Sequence, residues 1–293
     1  MTAIDKIVFP VNFTDACRAA TPYIADITNR FEAELRLLHV IGGKQSLAYR
    51  FAQKCDELKT FAASLPNSMR WPRAVAHGDP AQEIARYAEM QGADLIAMAV
   101  SGNGYRRSAG STALGVLQNA SCAVWTETGT GAPHARWSPI LCAVDLKPGS
   151  EQTLRYAAGV AETLGAKLFV VHALTPAPEG LWTYPAELPT VLSKAEAREK
   201  LESLLEGVDV HAEPLIETGT VYDVMRGVAA KTHAKLLVVG RGGDRKGAVG
   251  ANTYELVRSA PCPVLTCAPL PRERSEKECF WTEWQLDAEP AYA

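Results

Sequence analysis

The chain has 293 residues, 47% of them apolar and 22% charged, a globular composition long enough for two cores of about 100–200 residues each. Thirty basic against 33 acidic side chains leave a formal charge of −3, which excludes a broad basic surface for binding a nucleic-acid backbone. Residues 271–293 hold six of the acidic and three of the basic groups, so the net charge belongs to an acidic tail and the body is neutral.

No stretch approaches the roughly 18–20 apolar residues that span a bilayer, and the first residues lack the basic-then-apolar order of a secretory signal. The expectation is a cytoplasmic chain with no membrane partner. Seven cysteines, an odd number, lie mostly within apolar runs, which predicts reduced core thiols instead of disulfides. Cys262 and Cys267 lack any CxxC or His/Cys ligand spacing, so no metal site is expected.

In chain order the predicted elements repeat. A short buried-strand pattern, Lys6-Ile7-Val8-Phe9-Pro10-Val11-Asn12, returns as Pro139-Ile140-Leu141-Cys142-Ala143-Val144-Asp145. The strand Leu35–Val40 returns at Lys167–Ala173 with His39 and His172 aligned at an offset of 133. Ala76-His77-Gly78 then meets Glu217-Thr218-Gly219, Ala93–Met98 meets Ala234–Val239, and Ala120–Val124 meets Ala260–Val264. The offset rises to about 140 after the second strand, which localises an insertion, rich in Pro and aromatics, around Thr175–Pro189. Helical periodicity fills the gaps, as in Leu154, Ala157, Ala158, Ala161 and Leu164 between an expected N-cap at Ser150 and a stop at Gly165. Short apolar strands alternating with amphipathic helices predict an α/β fold: five parallel strands and about four helices per repeat, helices on both faces. The expected layout is one domain over 1–127, a linker over 128–136, a second domain over 137–270, and the tail.

After the fourth strand of the second copy comes Gly240-Arg241-Gly242-Gly243-Asp244-Arg245-Lys246-Gly247-Ala248-Val249-Gly250-Ala251-Asn252. Glycines let backbone approach a ligand closely, and amides opening the next helix would face an anion with the helix dipole behind them. This predicts a phosphate site, with Arg241, Arg245 or Lys246 as candidate charged partners. A plain glycine-rich turn is the competing reading. Asp145, ending the first strand of that copy, converges on the same crevice in an open parallel sheet, where a carboxylate suits ribose hydroxyls or an adenine amine. It could alternatively cap only its own helix. The first copy has Asn12 for Asp145 and Ala99 for Gly240, but adds Ser111, Thr112 and the Arg106-Arg107 pair.

These features, with Leu-His-Val in the second strand and Ala-Pro-Cys-Pro-Val at the fifth, make the chain resemble a tandem universal stress protein, one family domain per repeat. The resemblance implies two Rossmann-like domains of the adenine nucleotide alpha hydrolase type, acting in a stress response as sensor or regulator. Members carrying Gly-x-x-Gly, nine residues, then Gly-Ser/Thr bind ATP. Here Gly243 is followed by six residues and Gly250-Ala251; the first copy reads Ala99-x-x-Gly102, seven residues, Gly110-Ser111. By position, the resemblance implies adenine and ribose contacts at Ala143, Asp145 and Ala173, and phosphate contacts at Val239, Gly240, Gly242, Gly243, Gly250, Ala251 and Asn252. The first-copy equivalents are Pro10, Asn12, Val40, Met98, Ser101, Gly102, Gly110, Ser111 and Thr112. The cofactor expected is ATP, with or without Mg2+, mainly in the second domain. Family domains commonly pair through the fifth strand, which implies pairing of Ala123–Trp125 with Pro263–Leu265 within one chain and leaves a homodimer open.

No frame for Ser-His-Asp or Cys-His chemistry is present and no Gly-Lys-Ser/Thr follows a glycine loop, so no catalytic residue is assigned and slow ATP hydrolysis is the most expected. His39 and His172 read as satisfied interior or crevice-edge histidines. Adenylyl transfer would need a Ser-Gly-Gly-x-Asp-Ser loop after strand one, which Asn12-Phe13-Thr14-Asp15 and Asp145-Leu146-Lys147-Pro148 do not supply. The other alternative is an interaction module without nucleotide. The tail, with Phe280, Trp281, Trp284 and Leu286, reads as a segment docking on its own chain.

Overall fold

The computed structural model describes residues 4–42, 47–63, 65, 71–103, 106–108, 110–127, 136–175, 192–242 and 249–267. They fall into two compact units, one within residues 3–134 and the other formed by 135–242 with 250–267.

The first unit runs β1 (Lys6–Pro10), α1 (Asp15–Arg30), β2 (Glu34–Ile41), α2 (Leu47–Ala63), β3 (Arg73–His77), α3 (Pro80–Met90), β4 (Leu95–Ala99), the short β5 (Ser101–Asn103) and β6 (Arg106–Ser108), α4 (Ser111–Asn119) and β7 (Ala123–Glu127). Its parallel sheet has the order β3-β2-β1-β4-β7. Ile7 stands between Leu35 and Leu95 in register, and Ile7, Val8, Phe9, Leu37, Leu38, Leu95, Ile96 and Ala97 are fully buried. Such uninterrupted apolar strands are stable only where both faces are covered. Helix starts follow local chemistry: Thr14 caps α1 by accepting from the Cys17 amide, and Asp79 caps α3, where Pro80 opens the helix.

The second unit runs β8 (Ile140–Ala143), α5 (Ser150–Thr163), β9 (Leu168–Leu174), α6 (Lys194–Val208), β10 (Glu213–Thr218), α7 (Val221–Thr232), β11 (Leu236–Val239), α8 (Ala251–Ser259) and β12 (Val264–Thr266). Its order is β10-β9-β8-β11-β12, again parallel throughout. In each unit the first strand lies between the second and the fourth, so the winding reverses beside it. That reversal opens a crevice outside the carboxyl ends of β1 and β4, and of β8 and β11.

The repetition extends to backbone angles. Phe13 and Leu146, each directly after the first strand's polar residue, have φ of 61° and 58°. Gly78 and Gly219 both turn with φ near 150°, at 147° and 149°.

Two expectations need correction. The segment after β4, read as a glycine loop, forms the antiparallel β5–β6 pair, Ser101 opposite Ser108 and Asn103 opposite Arg106. The two stretches satisfy each other's backbone groups, which an open loop would leave to solvent. The N-cap of α5 is Gly149, at φ 100°, and Ser150 is the first helical residue.

Among the described residues no helix is long and apolar enough to cross a membrane. Among the described residues six cysteines stand outside any disulfide, and five of them are buried.

Candidate functional site

The second unit assembles its crevice from three pieces. The first is the turn after β8. Asp145 is exposed, and its Oδ1 accepts from the Lys147 amide at 3.1 Å and from the Ser150 hydroxyl at 2.9 Å. Among the described residues no hydrogen bond reaches its Oδ2, so half of the carboxylate is free to accept from a ligand while the other half holds its orientation. The bland alternative, capping of its own helix, accounts for only one of the two oxygens.

The second piece is the turn after β11. Ala143 is opposite Val239 in register, which puts Gly240 beside the Asp145 turn. The Gly240 carbonyl accepts from Thr253 Oγ1 at 2.9 Å, and the Arg241 carbonyl accepts from the Gly250 amide at 3.0 Å. Residues 240–242 are thereby drawn against the start of α8. Gly242 has φ of 62°, with Gly250 Cα 3.4 Å from where a Cβ would stand, so both its angle and its space require glycine. A Cβ at Gly240 would lie 2.9 Å from Thr153 Oγ1 on α5.

The third piece is the helix that follows. Gly250 is the N-cap of α8 and supplies no side-chain bond, whereas α1, α3, α6 and α7 are capped by Thr14, Asp79, Ser193 and Thr220. The amides of Ala251, Asn252 and Thr253 therefore begin a nine-residue helix without a side-chain acceptor, at the positive end of its dipole.

The structure thus brings together Ala143, Asp145, Val239, Gly240, Gly242, Gly250, Ala251 and Asn252. Ala173, half-buried, stands two residues beyond Val171, the partner of Ala143, at the end of β9. Gly243, Arg245 and Lys246 lie outside the described residues. Arg241 does not serve as a solvent-facing phosphate ligand: it is 6% exposed. Burial pushes the Cys267 thiol up to about 12 even though the Arg241 charge pulls it down, and burial likewise raises Cys142. Both thiols are therefore neutral and unreactive near neutral pH.

Thr153 and Thr253 escaped the sequence reading. Thr253 is the hydroxyl displaced from its usual place at the helix start, and the visible signal was a threonine in the first turn after Gly250. Its Oγ1 is engaged by the Gly240 carbonyl, which leaves the backbone amides as the groups able to face an anion.

The first unit shares the frame but not the details. Asn12 Oδ1 accepts from the Thr14 amide at 3.3 Å and the Thr14 hydroxyl at 2.8 Å. Pro10, Val40 and Met98 fall at the ends of β1, β2 and β4, and Gly110 precedes α4 without a side-chain cap, followed by Ser111 and Thr112. Ser101 and Gly102, however, are strand residues of the hairpin, so this segment's backbone pairs with itself. His39 and His172 behave alike: each Nδ1–H donates to a backbone carbonyl, Val11 at 2.7 Å and Val144 at 2.9 Å. A carbonyl can only accept, which fixes the tautomer.

The universal stress protein family profile matches residues 3–126 and again 136–268. A comparison with curated protein sequences returned no match. Among solved structures, a universal stress protein from Archaeoglobus fulgidus DSM 4304 superposes with a TM-score of 0.69 at 20% identity, covering 90% of this chain and 98% of that one. A functionally unknown protein from Pseudomonas aeruginosa PAO1 superposes at 0.60 and 18% identity, over 92% of this chain and 94% of the other. At such identities the likeness is one of fold, but the double profile match spans nearly the whole chain: it belongs to the universal stress protein family, as two family domains in tandem.

Proposed function

We propose that the second unit binds an adenine nucleotide, ATP foremost, in the crevice between the Asp145 turn and the Gly240–Asn252 turn, and that the protein acts as a nucleotide-responsive stress regulator. The observation that carries this reading is the convergence, on two adjacent strands at the winding reversal, of a half-satisfied carboxylate and an uncapped helix N-terminus behind a glycine turn. Asp145 Oδ2 accepts from ribose hydroxyls or the adenine amine. Ala143 and Ala173, small and half-buried, leave room for the base. Phosphates meet the amides of Gly242 and Gly250–Asn252, each contact at the dipole being worth about 0.3–1 kcal/mol. Together with base burial these reach about −8 kcal/mol, a micromolar dissociation constant. Mg2+ would travel with the phosphates.

Isothermal titration calorimetry with ATP, with and without Mg2+, tests it on the full chain. Wild type is expected to bind with micromolar affinity and Asp145→Ala at least about tenfold more weakly, the loss of about 1.4 kcal/mol. No heat up to millimolar ATP, together with no nucleotide carried through purification, overturns the reading and leaves a nucleotide-free interaction module.

A further inference from the structure

The Asp145 turn differs from its first-unit counterpart in where its hydroxyl comes from. After Asn12 one residue has positive φ, Phe13 at 61°, and α1 begins at Asp15. Thr14 then does two things: its hydroxyl donates to Asn12 Oδ1 at 2.8 Å and, as the helix cap, accepts from the Cys17 amide at 3.3 Å. After Asp145 two residues have positive φ, Leu146 at 58° and Gly149 at 100°, and α5 begins only at Ser150. Lys147 stands in Thr14's place and Gly149 is the N-cap, so neither has a hydroxyl to offer. Ser150, where the first unit has Cys17, supplies it from five positions along the chain, its Oγ donating to Asp145 Oδ1 at 2.9 Å.

Among the described residues Ser150 Oγ makes only this bond, and it does not cap α5, whose N-cap has no side-chain bond. The donor is 7% exposed while the carboxylate it holds is exposed, so the bond is anchored from the buried side. Water competes for an exposed acceptor, and such a bond adds little to folding. What it adds is orientation. The last torsion of a carboxylate is broad and roughly two-fold, and without Ser150 only the Lys147 amide, at 3.1 Å, would restrain it. One turn further along α5, Thr153 is equally buried, and its Oγ1 lies 2.9 Å from where a Cβ on Gly240 would stand. Residues three apart share a helix face, so the first turn of α5 seats both halves of the crevice.

We propose that Ser150 is a positioning residue of the nucleotide site: its hydroxyl holds Oδ1 of Asp145 toward α5 and thereby presents Oδ2 to the ligand, so that the carboxylate is ordered before nucleotide arrives. Ser150 itself does not touch the ligand. A group already held in place loses less freedom on binding, which raises affinity without a new contact. This inference rests on the nucleotide reading given above.

Calorimetry with ATP on the full chain tests it through a double-mutant cycle of Ser150→Ala and Asp145→Ala. Ser150→Ala is expected to weaken ATP binding about three- to tenfold when Asp145 is present, and by less than about twofold in the Asp145→Ala background, because the hydroxyl acts only through the carboxylate. A merely structural role would weaken binding alike in both backgrounds. Ser150→Cys keeps the volume but offers only a weak donor, and it is expected to bind as Ser150→Ala does. Unchanged affinity in Ser150→Ala, equal losses in the two backgrounds, or wild-type affinity in Ser150→Cys overturns the proposal. Wild type that binds ATP while the cycle shows no coupling leaves the nucleotide reading standing and removes only the role of Ser150. Wild type that gives no heat up to millimolar ATP removes both.

Discussion

The two units share a strand order, a fixed histidine tautomer and even the positive φ after the first strand, yet they diverge where a ligand would touch them. In the second unit residues 240–242 leave β11 outside regular structure, held at the start of α8 by Thr253 and the Gly250 amide. In the first unit the chain leaving β4 turns on itself as a hairpin and spends its backbone groups on pairing. Asn12 and Asp145 show the same divergence in miniature: each organises its turn, but only the carboxylate keeps a charged oxygen to spare. Scaffold and site are therefore separable. The winding, the buried strands and the caps are kept while the candidate site differs between the copies.

The largest expected effect breaks the comparison at Gly240. In Gly240→Val the new Cβ meets Thr153 Oγ1 at 2.9 Å, which pushes the turn away from α5 and displaces the phosphate amides. Nucleotide affinity is expected to fall at least about tenfold in fluorescence titration with a labelled ATP analogue. The reverse change, Ala99→Gly, is expected to add no second binding event, because the hairpin remains. A gain in stoichiometry there would show that the first unit needs only one glycine.

A second contrast concerns helix packing. Gly115 on α4 lies so close to α3 that a Cβ would stand 2.5 Å from the Ala81 Cβ, while its counterpart Glu255 on α8 is exposed. Gly115→Val is expected to cost the first unit about 1–3 kcal/mol by overpacking, and Glu255→Val within about 0.5 kcal/mol either way, both read from urea unfolding. Smaller still is the contrast between strand-one turns. Thr14 caps α1 through the Cys17 amide, so Thr14→Ala should cost about 1 kcal/mol. Ser150 only donates to an exposed carboxylate, so Ser150→Ala should cost less than half of that and leave Asp145 Oδ1 with the Lys147 amide alone. Equal costs would mean that the Ser150–Asp145 bond is as structural as the cap.

Much of this was readable in the residues, for a physical reason. Strands buried on both faces are continuous apolar runs, and Ile7–Phe9 and Leu236–Val239 cannot be read otherwise. The Gly240–Gly242 turn was visible because Gly242, at φ 62° with Gly250 Cα 3.4 Å from a Cβ, has no room for a side chain. Local competition was harder to see. The hairpin over Ser101–Ser108 and the helix start at Gly149 depend on which of two permitted turns prevails, and composition alone does not decide that. Arg241 looked like a phosphate ligand because nothing in a sequence distinguishes a guanidinium facing solvent from one that is 6% exposed. Thr253 was missed because its role is a bond to a carbonyl thirteen positions earlier in sequence.

The smallest expected effect sharpens the comparison at His39. Burial is the main influence on this ring and pushes its pKa below the ordinary value; the bond to the Val11 carbonyl opposes that shift, Lys54 adds to it and Glu57 offsets part of it. Phe13 lies against the ring in the first unit, where Leu146 stands in the second. The unfolded chain takes up a proton near pH 6.5 while the folded first unit still refuses it, so the unfolded state binds more protons in that window. Stability of the first unit is then fully present above about pH 6.5, declines as pH falls toward the lowered folded value, and levels off below it. Urea midpoints for the first-unit transition, measured at about pH 7.5, 6.5 and 5.5, are expected to fall along that series. His39→Gln retains an amide donor for Val11 but cannot titrate, and it should remove His39's part of the decline. If the midpoint of His39→Gln falls as steeply as that of wild type, the pH dependence arises elsewhere, and the neutral imidazole is a packing element without electrostatic consequence.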